Sequence, residues 1–192
     1  MISLRSWRAQ LLTVEKMLTD RQCSHPQILN QTFHGSDVLL FLTCADPNGN
    51  TVAVFITEES KVGVKTIRRI REDMKRFLSH TVILLCVHGL TPFAARELSN
   101  EEDANARFEV FKKCELAFNI TTHELVPPHS ALSVVEKRDL LASLGIKGSS
   151  LPKIKETDPV VKYHGWKIGT VIAIKRTLGA LEAEQYFRIV VN

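Results

Sequence analysis

The residues with the clearest potential for chemistry are two carboxylates and a lysine in the first third of the chain. Asp37 is followed by Glu59-Ser-Lys61, which lies near the end of a predicted strand. This order is typical of nucleases in which two carboxylates hold Mg²⁺ and a lysine orients the attacking water. The pattern is common, and the reaction requires Asp37 and Glu59 to converge. A stand-alone Mg²⁺-dependent nuclease is therefore one hypothesis, and an inert scaffold is the other.

The histidines and cysteines do not form a recognisable metal or nucleophile motif. His123 and His129 lack the spacing of a metal-binding pair, so we expect them to hydrogen-bond to backbone groups, either of a partner groove or of the fold itself. No cysteine pair has the short spacing of a zinc site. Cys44 and Cys86 fall in apolar runs and are expected to be buried thiols. We therefore expect no metal and no cofactor, and a reducing compartment, either cytosol or nucleus.

Composition indicates a globular protein without membrane segments. The 192 residues are 44% hydrophobic, enough for one large domain or two small ones. No apolar stretch approaches the length of a membrane-spanning helix, and the amphipathic N-terminus lacks the apolar core of a signal peptide. The formal net charge of +4 is too small to indicate a polyanionic partner by itself.

Basic residues are concentrated between Lys61 and Arg76, where seven cations stand against two acids. The cluster could contact phosphates, or it could be the solvated face of a helix. Thr91-Pro92 begins a predicted helix, where a hydroxyl and backbone N–H groups suit a phosphate oxygen. The alternative for Thr91 is a plain helix cap. With no base-reading motif, any DNA contact would be to the backbone.

The elements that must position these residues form a mixed α/β domain over residues 1–118. Apolar periodicity and turn signals predict the following order: a helix over 3–20, a short helix after Ser24-His25-Pro26, a hairpin of 38–44 and 51–56, a helix over 65–78, a covered strand at 82–87, a helix from Pro92 and a strand over 108–119.

Residues 119–192 are predicted to form a second, small α/β domain. Ser133-Val-Val-Glu136 is a capping box that opens a helix, which ends at Leu144 with Gly145 as its C-cap. Asp158-Pro159 begins another short helix. Residues 171–175 and 186–191 are expected to pair as strands.

The chain resembles a family of common RNA polymerase subunits. In eukaryotes this is the fifth-largest polymerase II subunit, shared with polymerases I and III, and a shorter archaeal homologue corresponds to its C-terminal part. The resemblance lies in Ile120-Thr-x-His-Glu-Leu-Val-Pro-x-His129, Leu151-Pro-x-Ile154, Asp158-Pro-Val160, Tyr163, Gly165, Gly169, Val171 and Arg176. Two further segments, residues 55–67 and 89–94, resemble the N-terminal jaw domain of the eukaryotic family.

The resemblance implies a non-catalytic subunit of a nuclear DNA-directed RNA polymerase. Residues 1–118 would be the jaw domain, with a restriction-nuclease-like fold, and residues 119–192 the assembly domain. Anchoring to the largest subunit would use His123, Glu124, Leu125, Val126, Pro127, Asp158, Pro159, Tyr163 and Gly165. The backbone of downstream double-stranded DNA would be contacted by Lys61, Lys65, Arg68, Thr91 and Pro92.

Two departures from the family pattern suggest either a divergent lineage or a copy specialised for one polymerase. Phe93 occupies a position where the family usually has a small residue, and Leu178-Gly-Ala180 replaces a polar run. Whether the chain serves polymerase I, II, III or all three is left open. An adaptor that has left the polymerase is a further alternative.

Overall fold

The computed structural model describes residues 4–32, 38–77, 79–99, 107–177 and 183–192. It divides into two compact units, Met1–Phe118 and Asn119–Asn192, which are described separately. The elements of the first unit are α1 (Arg8–Asp20), β1 (Ser24–Thr32), β2 (Val38–Ala45), β3 (Thr51–Thr57), α2 (Val64–Phe77), β4 (Ser79–Cys86), α3 (Pro92–Ser99) and β5 (Arg107–Lys112). Those of the second are β6 (His129–Ala131), α4 (Val134–Leu144), β7 (Lys153–Lys155), α5 (Pro159–His164), β8 (Val171–Thr177) and β9 (Ala183–Val191).

The first unit is built on a mixed sheet with the strand order β1-β2-β3-β4-β5. The first three strands are antiparallel, whereas β3, β4 and β5 run parallel to one another. The turn between β2 and β3 is held by Asp46, whose Oδ1 accepts hydrogen bonds from the backbone N–H groups of Asn48 and Asn50, both at 2.8 Å. The predicted hairpin and the predicted mixed α/β fold are confirmed.

Helices α2 and α3 pack on one face of this sheet. Ile67, Ile70 and Met74 of the predicted apolar stripe are buried there, together with Ala94 of α3. They contact alternate strand residues, among them Phe55, because successive strand side chains point to opposite faces. The stripe therefore fixes the orientation of α2 and turns its basic residues away from the core.

Helix α1 is the remaining helix described in this unit. It begins after a 3₁₀ turn, Leu4–Trp7, and buries Val14 and Met17, while Trp7 itself is also buried. Strand residues such as Val54 are fully buried but do not belong to the cluster beneath α2 and α3. We infer that α1 covers the opposite face of the sheet.

The predicted helix after Ser24-His25-Pro26 is wrong, because these residues begin strand β1. Serine followed by proline suits a helix start, but proline is equally tolerated on an edge strand or at a bulge. Strand β1 is the edge of the sheet, and its register with β2 shifts between Ser24 and Gln27, where Pro26 is accommodated. The predicted strand over 108–119 is also shorter, because β5 ends at Lys112 and turns follow.

The second unit contains a mixed sheet with the strand order β6-β8-β9-β7. The predicted pairing of β8 with β9 is confirmed and is antiparallel. Val161 of α5 packs with Ile172 and Val190 in a small core. Both predicted helix starts are confirmed, since Ser133 and Glu136 form a capping box and Asp158 caps α5.

Candidate nucleic-acid and subunit interfaces

The carboxyl ends of the parallel strands bring several predicted DNA-contact residues to one edge of the first sheet. The loop after β3 and the loop after β4 are joined there by backbone hydrogen bonds. Val62 donates to the carbonyl of Gly89 at 2.9 Å, and Thr91 donates to the carbonyl of Val62 at 3.0 Å. Lys61 is thereby held beside the start of α3. We call this the carboxyl edge; it carries Lys61, Lys65, Thr91 and Pro92.

The carboxylate of Glu59 accepts hydrogen bonds from residues at the beginning of helix α2. Its Oε1 accepts a hydrogen bond from the hydroxyl of Thr66 at 2.7 Å, and its Oε2 accepts one from the backbone N–H of Gly63 at 3.4 Å. A carboxylate is favoured at this position because it satisfies orphan N–H groups and faces the positive end of the helix dipole. Glu59 therefore has a structural role that does not require a metal.

The remaining nuclease candidates do not add a metal site. Lys61 is exposed, and Asp37 lies outside the described residues. Within the ranges that the structure describes, no group of three or more His, Cys, Asp or Glu side chains is arranged to hold a metal ion. Of the three residues of the nuclease hypothesis, the described part of the chain therefore contains Lys61 and Glu59. The carboxylate of Glu59 is already hydrogen-bonded to Thr66 and Gly63.

Arg68, a predicted DNA contact, is paired with an acid on the neighbouring helix. Its Nε lies 2.9 Å from Oε1 of Glu97 in α3, and the hydrogen bond lowers the pKa of Glu97. Arg71 also reaches Glu97, donating to its backbone carbonyl at 2.8 Å. The three residues link α2 to α3, so part of the positive charge of Arg68 is compensated within the unit.

Thr91 caps helix α3, as the sequence indicated. Its Oγ1 accepts a hydrogen bond from the backbone N–H of Ala94 at 3.3 Å, and Pro92 is the first residue of the helix. Phe93 is 71% exposed. The cap leaves the hydroxyl proton of Thr91 available for an acceptor, so a cap and a phosphate contact are compatible.

Lys112, at the end of β5, joins the carboxyl edge and was not predicted. The side chain of Lys112 lies beside Gly89, since a Cβ added at Gly89 would be 3.4 Å from Cε of Lys112. Gly89 has φ +106°, a conformation that glycine adopts without strain. The position of Lys112 at the last residue of a strand parallel to β4 is the signal that could have identified it.

The predicted interface segment in the second unit, residues 123–127, is an exposed loop stabilised by its own side chains. Nδ1 of His123 accepts a hydrogen bond from the backbone N–H of Leu125 at 3.2 Å. Nδ1 of His129 lies 2.6 Å from the carbonyl of Pro127. The expectation that both histidines bond to backbone groups is confirmed. Leu125 projects from this loop with 83% of its side chain exposed.

The other predicted interface residues define the ends and the buried side of α5. Oδ1 of Asp158 accepts a hydrogen bond from the N–H of Val160 at 2.9 Å, and Pro159 is the exposed first residue. Tyr163 is buried, with an exposed fraction of 2%. Gly165 ends the helix in the left-handed conformation, with φ +67°. Of these four residues, Pro159 alone presents an exposed side chain.

Helix α4 is a surface that the sequence did not identify as an interface. None of its residues is buried. Val134 is 85% exposed and Val135 is 57% exposed. Its contact with its own unit includes a hydrogen bond from Nζ of Lys137 to the carbonyl of Gly169 at 2.9 Å. Further exposed apolar residues of this unit are Leu125, Leu144, Ile146 and Ile168.

Several large aliphatic side chains exposed on one small unit are typical of an interaction surface. We refer to the apolar residues Val134, Val135, Leu144 and Ile146 as the α4 surface. The adjacent valines at 134 and 135 were not a sequence signal for this surface, because buried helix faces also contain successive residues, as Val160 and Val161 of α5 show.

Comparison with known proteins identifies the family. The profile of the C-terminal domain of RNA polymerase Rpb5 matches residues 118–190. The subunit RPABC1 of DNA-directed RNA polymerases I, II and III from Caenorhabditis briggsae is 36% identical over 141 residues, which cover 73% of this chain and 66%, just under two thirds, of the relative. The corresponding subunit from Dictyostelium discoideum is 32% identical over 170 residues, covering 85% of this chain and 86% of the relative.

The chain therefore belongs to the Rpb5 family of RNA polymerase subunits. Among solved structures, a repair endonuclease from Pyrococcus abyssi superposes with a TM-score of 0.38 at 15% identity, covering 59% of this chain and 49% of the endonuclease. A score this low supports no inference about fold or chemistry. The restriction-nuclease-like fold of the first unit stays a prediction.

Proposed function

We propose that the chain is a non-catalytic subunit of a DNA-directed RNA polymerase. The second unit anchors it to the largest polymerase subunit, and the first unit guides downstream DNA through contacts with the phosphate backbone. Membership of the Rpb5 family is the observation that carries the proposal. The relatives are named as subunits of polymerases I, II and III, and we extend that assembly, with a nuclear location, to this chain.

The exposed apolar residues of the second unit support the anchoring role. Burying Val134 and Leu125 against a partner would remove two nearly fully exposed aliphatic side chains from water. Each such burial is worth about 1.5–3 kcal/mol. His123 and Glu124, which lie beside Leu125, form the polar rim of the same contact, and Val126 and Pro127 extend its apolar part. Asp158, Tyr163 and Gly165 act indirectly, by fixing helix α5 and with it the exposed Pro159 at its start.

The carboxyl edge supports the DNA role. Lys61 and Lys65 are exposed cations next to the starts of two helices. Phosphates are attracted both by lysine side chains and by helix N-termini. Thr91 and Pro92 belong to the same edge, whereas Arg68 contributes less because it is paired with Glu97. Contacts of this kind are independent of base sequence.

The alternative, a stand-alone nuclease using Asp37, Glu59 and Lys61, is less well supported. Glu59 accepts hydrogen bonds from Thr66 and Gly63, and a metal ion would have to displace them. Cleavage of DNA by the pure chain with Mg²⁺, abolished by Lys61→Ala, would nevertheless reverse our preference for the polymerase role.

Affinity purification of the tagged chain from its own cells tests the anchoring. We expect the largest polymerase subunit among the captured proteins, and mass spectrometry would also show which of the three polymerases it belongs to. Val134→Asp should reduce capture strongly, whereas a matched exposed substitution on the first unit, Leu12→Asp, should not. Capture without any large polymerase subunit would indicate an adaptor that has left the polymerase.

A further inference from the structure

Two of the four cysteines lie together at one end of the first sheet. Cys23 immediately precedes β1, and Cys44 is the next-to-last residue of β2. Because Ser24 pairs with Ala45, the two cysteines are diagonal neighbours on the same face of the β1–β2 pair. Their thiols hydrogen-bond to each other. Cys44 is buried and Cys23 is partly exposed, so a small reagent can reach one sulfur while the other lies behind it.

The surroundings give the two thiols different roles. The hydrogen bond from Cys44 is the main cause of a lowered pKa at Cys23; burial opposes it, and the guanidinium of Arg21 assists it. The same contact, together with burial, raises the pKa of Cys44. The nearby carboxylates of Asp46 and Glu109 also oppose the change at Cys23, but Glu109 is compensated by Arg21, whose Nη1 lies 2.7 Å from its Oε2.

A partly exposed cysteine whose pKa is lowered, with a buried thiol beside it, is the arrangement found in redox-sensitive cysteine pairs. We propose that Cys23 and Cys44 form an oxidisable dithiol, in which Cys23 reacts with a peroxide and Cys44 resolves the product into an intramolecular disulfide. This site is independent of the polymerase role, because neither cysteine lies on the carboxyl edge or in the second unit.

The reaction proceeds in two balanced steps. The Cys23 thiolate attacks one peroxide oxygen, the O–O bond breaks, and Cys23 becomes a sulfenic acid while hydroxide leaves and is protonated to water. The Cys44 sulfur then attacks the Cys23 sulfur, the S–O bond breaks, and the hydroxyl leaves as water with the proton of Cys44. The two sulfurs together lose two electrons, and the peroxide gains them. In a reducing compartment, thiol exchange with glutathione would restore the dithiol.

The other two cysteines provide internal controls. Cys86 is buried in β4, and its thiol donates to the carbonyl of Phe111 at 3.5 Å. Cys114 is exposed in the turns after β5. We therefore expect Cys86 to be unreactive and Cys114 to react without an intramolecular partner.

Peptide mapping of the full chain after treatment with hydrogen peroxide tests the proposal. Trypsin leaves both cysteines in one fragment, residues 22–61, which should lose the mass of two hydrogens. Cleavage before aspartate places them in fragments 20–36 and 37–45, which should remain linked until dithiothreitol is added. The proposal fails if both fragments are recovered separately and fully alkylated, or if Cys23 is found linked only to Cys114.

Three variants separate the site from general thiol oxidation. Cys114→Ser should keep the linkage unchanged. Cys23→Ser should abolish it, and Cys44→Ala should leave Cys23 as a sulfenic acid that dimedone labels. Cys44→Ala should also raise the pH at which Cys23 is half-alkylated, because the hydrogen bond that stabilises its thiolate is gone. If Cys44→Ala does not fold, the peptide map of the wild type and of Cys23→Ser decides whether the linkage forms. If Cys44→Ala folds and the pH of half-alkylation of Cys23 is unchanged, the assigned roles of the two cysteines are overturned.

Discussion

Oε1 of Glu59 accepts a hydrogen bond from the hydroxyl of Thr66 at 2.7 Å, across the beginning of helix α2. The same carboxylate accepts from the N–H of Gly63. This pair of contacts assigns the most nuclease-like acid of the sequence to helix capping, and it anchors the loop that presents Lys61.

Removing this cap should lower the stability of the first unit, because Glu59 has a structural rather than a catalytic role. We expect Glu59→Ala to lower the free energy of unfolding by about 1 kcal/mol, the usual cost of losing a side-chain cap. Glu59→Gln should cost less, because its amide oxygen can still accept from Thr66. Urea denaturation followed by circular dichroism measures both values. Equal losses for the two variants would show that charge at the helix end, rather than the hydrogen bond, dominates.

The DNA role predicts opposite effects for Lys65 and Glu97. Lys65→Ala should weaken binding to a short duplex and reduce the slope of log affinity against log salt by about one. Glu97→Gln should strengthen binding and steepen the slope, because it releases Arg68 from its ion pair. Fluorescence anisotropy over a salt series measures the slopes. Lys16→Ala, which removes an exposed cation from α1, is the matched control, and an effect equal to that of Lys65→Ala would argue against a defined carboxyl-edge site.

Exposed and buried members of the predicted anchor should fail in different ways. Leu125→Asp should leave the unfolding free energy within about 0.5 kcal/mol of wild type, since its side chain is exposed. Tyr163→Ala should lower it by about 3 kcal/mol, because it leaves a cavity in a packed interior. Both should reduce capture of the largest subunit. Thermal unfolding beside the capture assay distinguishes them, and intact capture by a folded Leu125→Asp chain would exclude this residue from the contact.

The turn at Asp46 predicts a pH dependence of stability. Burial raises the pKa of Asp46, but hydrogen bonds from Asn50 and Asn48 outweigh it and hold the pKa below the usual value. A lowered folded-state pKa means that the stabilisation is fully present above the unfolded pKa of about 3.9. It is lost as the pH falls through the lower folded value.

Asp46→Asn is the appropriate comparison, because it keeps one acceptor oxygen but does not titrate. The difference in unfolding free energy between wild type and Asp46→Asn should be constant at neutral pH and should shrink below about pH 4. Urea titrations across this range measure it. A difference that grows with acid would contradict the assigned direction.

Local rules were sufficient for the helix ends of the second unit. Ser133 and Asp158 act on N–H groups two or three positions away, so their roles could be predicted from neighbouring residues alone. Ser24-His25-Pro26 misled the same reasoning, because its conformation is decided by pairing with β2, which is distant in sequence.

The exposed cations and the helix cap of the candidate site could be predicted from residue type and position. The hydrogen bonds and ion pairs that its side chains form with other residues could not. Lys61, Lys65 and Thr91 were predicted as DNA contacts from residue type and position, and that role stays a prediction. The compensation of Arg68 by Glu97 depends on how α2 and α3 pack, and the use of Glu59 as a cap depends on the path of a loop. Spacing alone did not give either contact: the first joins two helices separated by strand β4, and the second depends on how the loop after β3 folds back onto the start of α2.

The exposed α4 surface has a consequence for the supply of this protein in the cell. Copies made in excess of their partner would leave the apolar residues of the α4 surface uncovered, and exposed apolar residues promote aggregation and recognition by quality-control proteases. We expect the amount of the chain that persists to follow the amount of its partner. The exposure of helix α4 would thus distinguish copies that have not bound their partner from copies that have.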